Sequence, residues 1–253
     1  MNNLYSRTSF KIKSLYSYPS HYNCPVQRRS LNNIKILMND TSRSLHEVIF
    51  DNYQRVIFDL EYLPDLNMLH KCVDIIYQEM GLRKSEYPPA ITINTTPVEK
   101  HGISSHVIVP VVISNFIFIR NIVSKIANHH PEEAIYFNDK FYYSEYVRLP
   151  YQWLPRRSHD PPYTPNYDDF HRILKPDGKG VYLRLEDCPN IGDFIIQNIT
   201  GLKAYEAEDF PPYPTNHKLA KNPKPKKQKE FNYQVLINLL LSILIIATIY
   251  KLI

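Results

Sequence analysis

Cysteine is scarce in this chain, and its scarcity argues against two classes of small domain. The 253 residues contain three cysteines, Cys24, Cys72 and Cys188, and no pair has the CxxC spacing. An odd and dispersed set argues against a disulfide framework and against a zinc module built mainly from cysteines. It is typical instead of a protein that works in a reducing compartment.

Glycine is also rare, and residues 1–13 lack an apolar core of signal-peptide length, so we expect no cleaved export signal. Only 6 glycines stand against 20 prolines and 20 tyrosines, which indicates ordered, proline-stiffened loops rather than flexible linkers. Hydrophobic residues make up 43% of the chain, which argues against disorder throughout. We therefore expect one domain of ordinary size, with about 210 residues to supply its core.

The longest apolar run lies near the end of the chain. Residues 235–250 are nearly all apolar, and with their flanks, 231–253, they reach the length of about 20 residues that a bilayer-spanning helix requires. Residues 218–229 carry six lysines interrupted by prolines, which predicts an extended spacer on the cytoplasmic side. We expect a single-pass tail anchor with the N-terminal domain in the cytosol. The alternatives are a buried C-terminal helix and, for the lysines, a nucleic-acid-binding arm.

The remainder of the chain has the pattern of a domain that combines strands and helices. Strands are predicted at 56–62, 90–94, 105–112, 134–137 and 141–149, helices at 68–80 and 116–127, and an irregular loop at 150–176. This order predicts an α+β or α/β domain. We divide the chain into an N-terminal segment, a folded domain, a linker rich in proline and lysine, and the tail, at residues 1–30, 31–205, 206–230 and 231–253.

The first motif is a pair of carboxylates, Asp59 and Glu61, on the strand predicted at 56–62. Side chains at i and i+2 point to the same face of a strand, so these two should project side by side. Adjacent carboxylates repel each other unless a cation neutralises them, and such pairs hold the divalent ions of two-metal phosphoryl-transfer enzymes. An edge strand with a solvated acidic face would give the same pattern.

The second motif combines Ser104 with His106 at the start of the apolar strand predicted at 105–112. The two residues are again separated by one position, so their hydroxyl and imidazole should share a face of the strand. Together these two groups are suited to bind a phosphate. The alternative is a buried histidine whose ring is satisfied by a backbone carbonyl.

The third motif begins at Asp139 and ends at Arg148. It predicts a hairpin in which the aspartate lies at the turn and the return strand carries the arginine. That arrangement would place a carboxylate and a guanidinium at one end of a sheet. The alternative is an ordinary Asn-Asp turn and a surface arginine.

In this order the three motifs resemble the catalytic core of the archaeo-eukaryotic primase superfamily, above all its primase-polymerase branch and their viral relatives. That family has a DxE or DxD motif, then an SxH motif that opens a strand, then an acidic residue followed by a tyrosine and an Arg-Leu strand. The matching segments here are Asp59 to Glu61, Ser104 to His106, and Asp139 to Tyr143 with Arg148-Leu149. His171 to Pro176 is similar to a further element of the family. The resemblance covers about residues 50–176.

The resemblance implies an α+β primase core, related to the RNA-recognition-motif fold, with mixed antiparallel sheets and flanking helices. It implies DNA-dependent primer synthesis in viral-type DNA replication, from nucleoside triphosphates on a single-stranded DNA template, with a primase accessory subunit or a helicase as partner. The membrane would then be one of the host cell. The residues that it assigns to two Mg²⁺ or Mn²⁺ ions are Asp59, Glu61 and Asp139, and those that it assigns to the nucleotide are Ser104, His106, Arg148 and Lys100.

The chain also departs from the family pattern. The family often has a lysine two residues before the serine; this chain has Gly102 there, and Lys100 or His101 is expected to replace it. The predicted hairpin is short, so Glu132 and Glu133 are alternatives for the third carboxylate. The alternative for the whole chain is a non-enzymatic, tail-anchored protein whose inactive primase-like domain binds a partner or nucleic acid.

Overall fold

The computed structural model describes residues 8–16, 25–40, 43–48, 53–94, 102–113, 117–138, 141, 146–152 and 170–205. These residues form two four-stranded antiparallel sheets with helices packed against them, so the fold is α+β. They all belong to the first of the two units into which the chain divides, Met1–Pro214. The predicted tail 231–253 lies outside the described residues. Within the described ranges, no helix combines the length and the apolar character that a membrane span requires.

The first sheet, sheet A, has the strand order β2-β1-β3-β7. Its strands are β1 (Phe10–Tyr16), β2 (Gln27–Arg29), β3 (Arg43–Val48) and β7 (Tyr146–Arg148). Alternation along β1 buries Phe10 and Ile12 and turns Lys11 and Lys13 to the other face. Strands β1 and β2 lie in the segment 1–30 that we placed before the domain, and their pairing extends the folded region to Phe10.

The second sheet, sheet B, has the strand order β4-β6-β5-β8. Its strands are β4 (Gln54–Leu63), β5 (Ala90–Asn94), β6 (Ile103–Ile113) and β8 (His171–Ile173). The first three confirm the strands predicted at 56–62, 90–94 and 105–112. The prediction of an irregular loop over 150–176 is wrong where β8 pairs with β5, and residues 153–169 lie outside the described residues.

Four α-helices are described: α1 (Leu31–Met38), α2 (Leu66–Met80), α3 (Ile117–His129) and α4 (Pro131–Ala134). Two short 3₁₀-helices follow at Leu185–Asp187 and Ile191–Phe194. The helices α2 and α3 confirm the predictions at 68–80 and 116–127. Helix α2 begins where the Asp65 side chain accepts a 2.8 Å hydrogen bond from the Met68 N–H. It ends at Gly81, which adopts the left-handed conformation with φ 64°. The apolar faces of both helices join the core beneath sheet B.

The strand predicted at 134–137 is wrong, because α4 occupies its beginning. Pro131 stands in the first turn of α4 together with two glutamates, the residue types that favour a helix start. Phe137 forms an isolated antiparallel bridge with Leu60 of β4. The predicted hairpin with 141–149 is also wrong for the described residues, since β7 pairs with β3 of sheet A.

Two buried charged residues tie the C-terminal part of the domain to both sheets. Glu47 of β3 accepts hydrogen bonds of 2.9 Å from the N–H groups of Ile196 and Gln197. Arg55 of β4 donates to the carbonyl of Asn198 at 2.6 Å. Burial raises the pKa of Glu47 to about 7, against the backbone hydrogen bonds and the charge of Arg55. Sheets A and B are therefore joined through residues 196–198, and the bonds on the sheet A side are made by the buried, ionisable side chain of Glu47.

Candidate functional site

The carboxylates of Asp59 and Glu61 lie together on one face of β4, as the sequence predicts. The Asn138 side-chain nitrogen Nδ2 donates hydrogen bonds to both, at 2.7 Å to Asp59 Oδ2 and 2.9 Å to Glu61 Oε1. Asp59 is buried with 5% of its surface exposed, whereas Glu61 is half-buried. The two carboxylates are therefore held in place by hydrogen bonds from another segment, and they do not form a solvated acidic face.

Electrostatics at this pair favour a positive charge. Burial and, after it, the charge of Glu61 raise the pKa of Asp59 to about 7, against the opposing effects of the Asn138 hydrogen bond and the charge of Arg148. A cation between the two carboxylates would relieve their repulsion. Carboxylate and amide oxygens are the ligands that Mg²⁺ and Mn²⁺ prefer, so these residues fit a hard divalent ion.

The third expected ligand is not among the residues that the structure describes. Asp139 and Lys100 both fall outside the described ranges. Of the alternatives, Glu133 forms an ion pair with Lys71 of α2, and Glu132 is exposed. In the described part of the chain, no three His, Cys, Asp or Glu side chains are grouped so that they hold a metal ion. The described site thus contains the carboxylate pair and one amide.

Asn138 is a site residue that sequence reasoning missed. Its backbone N–H donates to the Asp59 carbonyl at 3.0 Å, and the bridge between Phe137 and Leu60 sets its register beside β4. The side chain consequently reaches the two carboxylates, one position before the expected ligand Asp139 in the sequence. Asn138 directly precedes the expected ligand Asp139, which could have indicated its place in the site. The sequence pattern, however, favours acidic residues over amides as metal ligands.

Two stacked imidazoles lie next to the carboxylates. His106 of β6 stands opposite Asp59 in the sheet register, and its Nε2 lies 3.4 Å from Asp59 Oδ1. The ring of His171 from β8 stacks on His106 with a centroid distance of 4.3 Å. The His171 nitrogens contact Ser104 Oγ at 3.3 Å and Thr92 Oγ1 at 3.2 Å. This geometry confirms that Ser104 and His106 share a face. It adds Thr92, which the motifs did not single out, and His171, which they named only as the start of a further element.

Both imidazoles are held neutral near pH 7. Burial, together with the charge of Arg148, lowers the pKa of His106 to about 3. Burial lowers the pKa of His171 well below its usual value, and the charges of His106 and Arg148 add to this effect. A neutral imidazole both donates and accepts a hydrogen bond. The cluster can therefore offer an N–H to a phosphate oxygen, and a bound anion would stabilise the protonated ring.

Strand β7, which carries Arg148, leads from sheet A toward this site. It pairs with β3, and three residues after Arg148 the N–H of Tyr151 donates a 2.9 Å hydrogen bond to the carbonyl of His171. The charge of Arg148 opposes the rise in the pKa of Asp59 and contributes to the lowered pKa values of His106 and His171. The predicted meeting of Asp139 with Arg148 stays a prediction, because Asp139 lies outside the described residues.

Gly102 explains one departure from the primase pattern. Its φ is +74°, and a Cβ atom there would lie 2.8 Å from the carbonyl oxygen of Leu63 and 2.9 Å from the Tyr62 carbonyl carbon. A lysine at this position would be strained and would collide with the backbone of β4. The position is therefore fixed by the close approach of two chain segments.

The chain was compared with protein-family models and with curated proteins. No family model matches the chain, and no curated protein matches it significantly. Chemically, the described residues combine an acidic pair that fits a divalent ion, neutral histidines and hydroxyls that fit phosphate oxygens, and a nearby arginine. This set of groups is suited to a ligand that carries both a metal ion and phosphates.

Proposed function

We propose that this protein is a DNA-dependent nucleotidyltransferase of the primase type, with an archaeo-eukaryotic primase core. The observation that carries the proposal is the meeting of Asp59 and Glu61 with His106 and Ser104 on one face of sheet B. Those residues come from separate strands and are the ones that the primase motifs name. The substrates would be nucleoside triphosphates and a single-stranded DNA template.

Asp59 and Glu61 would hold the divalent ions in this reaction, with Asp139 as the expected third carboxylate. When bound, such ions lower the pKa of the attacking 3′-hydroxyl and neutralise charge on the leaving pyrophosphate. Asn138 supports the site by holding the two carboxylates in one orientation through its hydrogen bonds. The buried position of Asp59 keeps water away from the reacting groups.

The histidine cluster would bind the triphosphate. His106 and Ser104 would offer N–H and O–H donors to phosphate oxygens, and Arg148 would add a fixed positive charge beside them. His171 supports His106 by ring stacking and is itself oriented by Thr92. Lys100, outside the described residues, stays a proposed nucleotide contact.

A second function has one specific observation in its favour. In the described residues, the group that bridges Asp59 and Glu61 is the amide of Asn138 and not a third carboxylate. On this second proposal, the domain would be a primase-like fold that binds nucleic acid or a partner without catalysis. The amide can also serve an active site, since a half-turn of its side chain presents Oδ1 to a cation. We therefore place the active enzyme first.

The apolar tail and the lysine-rich spacer complete the proposal. Residues 231–253 would anchor the protein in a host-cell membrane, and residues 218–229 would let the domain reach DNA beside that membrane. A primase accessory subunit or a helicase would be the partner there. The tail would thus localise the catalytic domain to the membrane.

A primer-synthesis assay tests the enzymatic proposal. The full chain, in a non-ionic detergent, is given single-stranded DNA, labelled nucleoside triphosphates and Mn²⁺, beside the double variant Asp59→Ala, Glu61→Ala. We expect labelled primers from the wild type and none from the variant. Equal product from both would overturn the assignment. No product from the wild type, together with nucleic-acid binding, would favour the second function.

A further inference from the structure

One face of sheet A is strongly basic. The antiparallel register places Arg28 opposite Lys11 and places Lys13 opposite His46, which in turn is opposite Arg148. Residues opposite each other in an antiparallel pair project from the same face of the sheet. All four strands thus contribute a cation or an imidazole to this face, which spans about 14 Å from β2 to β7 at a strand spacing of about 4.8 Å.

The described strand residues on this face include no carboxylate. Glu47, the one acidic residue of these four strands, projects from the opposite face, where it accepts hydrogen bonds from the backbone. Lys13 and Arg148 are the register neighbours of His46 on its two sides, and after burial their charges help to lower the pKa of His46 to about 3. The face therefore carries a concentrated positive potential.

An aromatic ring lies among these cations. The Lys13 Nζ stands 4.4 Å from the centre of the Tyr146 ring, in a cation–π contact across the face. Arg28 is exposed, and Lys11, Lys13 and Tyr146 are half-buried, so solvent reaches the row. Cations and aromatic rings that solvent can reach are the groups with which proteins bind single-stranded nucleic acid without sequence preference.

The basic row ends at β7, from which the chain passes to sheet B. Arg148 stands opposite His46 at this end of the row. Three residues later, the N–H of Tyr151 donates a 2.9 Å hydrogen bond to the carbonyl of His171, a residue of the candidate site. A polyanion lying along the row from Arg28 would consequently extend toward the strand that carries His171.

We propose that this face of sheet A, formed by Arg28, Lys11, Lys13 and Tyr146, binds the sugar-phosphate backbone of a single-stranded nucleic acid and directs it to the site. This role of sheet A rests on the proposed function, because the bound strand would be the template of the proposed enzyme. It differs from the lysine-rich segment 218–229, which is a separate source of positive charge in the chain.

Salt-dependent binding tests the proposal. The full chain is titrated in a non-ionic detergent and EDTA against a labelled single-stranded DNA of about 20 nucleotides, and affinity is read by fluorescence anisotropy at several salt concentrations. The variant Lys11→Gln, Lys13→Gln, Arg28→Gln is compared with Lys35→Gln, Lys179→Gln, Lys203→Gln. The control lysines are exposed and lie outside sheet A, and both triple variants remove three charges. The segment 218–229 is unchanged throughout.

We expect the sheet variant to reduce the slope of log affinity against log salt by about 2, since each neutralised contact contributes about 0.7 for a single strand. The wild type would then lose about 20-fold more affinity than the variant between about 50 and about 200 mM salt. The control should keep the wild-type slope. If the sheet triple does not fold, Arg28→Gln alone should lower the slope by about 0.7.

An unchanged slope in the sheet variant, or equal losses in both triples, would overturn the proposal. So would a sheet variant that keeps its DNA affinity but loses binding to vesicles of anionic lipid, which would assign the face to a membrane. Because the titration contains no metal or nucleotide, it is independent of catalysis. A wild type that binds through sheet A but makes no primers would leave this inference standing and remove the enzymatic proposal.

Discussion

The Asn138 side-chain nitrogen Nδ2 lies 2.7 Å from Oδ2 of Asp59 and donates a hydrogen bond to it. The same nitrogen bonds Glu61, so one neutral amide holds together two carboxylates that would otherwise repel each other. This amide occupies the position at which a positive charge would be most favourable. The properties of the site therefore depend on Asn138 as much as on the acidic pair.

Replacing Asn138 by aspartate should strengthen divalent-ion binding. Asn138→Asp adds a third negative oxygen ligand beside Asp59 and Glu61, and we expect Mn²⁺ affinity to rise at least about tenfold. Electron paramagnetic resonance of free Mn²⁺ during a titration of the full chain measures this affinity without any need for catalysis. Unchanged or weaker binding would contradict a metal site at the carboxylate pair. Asn138→Ala is the control, because it removes the amide without adding charge.

Glu47 should contribute stability that is lost as the pH rises toward neutrality. Burial raises its pKa from 4.5 to about 7, so between these values its carboxyl binds more protons in the folded state than in the unfolded state. Its contribution to the free energy of unfolding is fully present below about pH 4.5, and up to about 3 kcal/mol is lost as the pH rises through about 7. Asp59 adds a contribution of the same sign, whereas the pKa values of His46 and His106, both lowered to about 3, give contributions of the opposite sign.

Denaturant titrations at several pH values measure this effect. The difference in the free energy of unfolding between the wild type and Glu47→Gln should change by up to about 3 kcal/mol from about pH 4.5 to about pH 7, because the contributions of the other groups cancel in this difference. The amide keeps one acceptor for the Ile196 and Gln197 N–H groups and lacks the titrating proton. A variant that retains the full wild-type dependence would show that Glu47 is not the titrating group.

Gly102→Ala should destabilise the domain more than Gly81→Ala. Both glycines have positive φ, 74° and 64°, so each substitution carries the strain of a left-handed alanine, about 1–2 kcal/mol. A Cβ at Gly102 also collides with the Leu63 carbonyl oxygen, whereas a Cβ at Gly81 meets nothing within 4 Å. We expect a total loss of about 2–4 kcal/mol at Gly102 in a denaturant titration. Equal losses at both positions would contradict the close approach to β4.

Deleting residues 231–253 should release the protein from membranes. The apolar run is the segment of spanning length in the sequence, and the lysines before it give a weaker attraction that salt screens. Cell fractionation with a high-salt wash should therefore find the full chain in the membrane pellet and the truncated chain in the supernatant. A truncated chain that still pellets after the wash would contradict the tail anchor.

The elements of sheet B and its helices could be predicted because their signals are local. Strand β5 matches the predicted 90–94, and α2 ends at Gly81 as its apolar spacing and glycine cap predict. In each, the apolar residues repeat with the period of the element, and breakers bound the run. Asp59, Glu61, Ser104 and His106 could be placed on faces by the same period-2 rule.

Sheet A and part of the site could not be predicted because they depend on long-range pairing. Strand β1 alternates lysines with apolar residues in a segment that looked polar, and its partner β3 is distant in sequence. Strand β7, which carries Arg148, joins sheet A because it pairs with β3. The contacts of Asn138 and His171 with the site are made to residues of other strands, which no single-segment pattern reveals.

Mn²⁺-dependent nucleotide incorporation by the single variant Asp59→Asn tests the central claim most directly. The amide keeps the size of the carboxylate and removes its charge, and Asp74→Asn on the exposed surface of α2 is the charge-matched control. If Asp59 holds the catalytic ion, incorporation on single-stranded DNA should fall about 100-fold or more, while the control keeps the wild-type rate. A rate for Asp59→Asn within about twofold of the wild type would contradict the account.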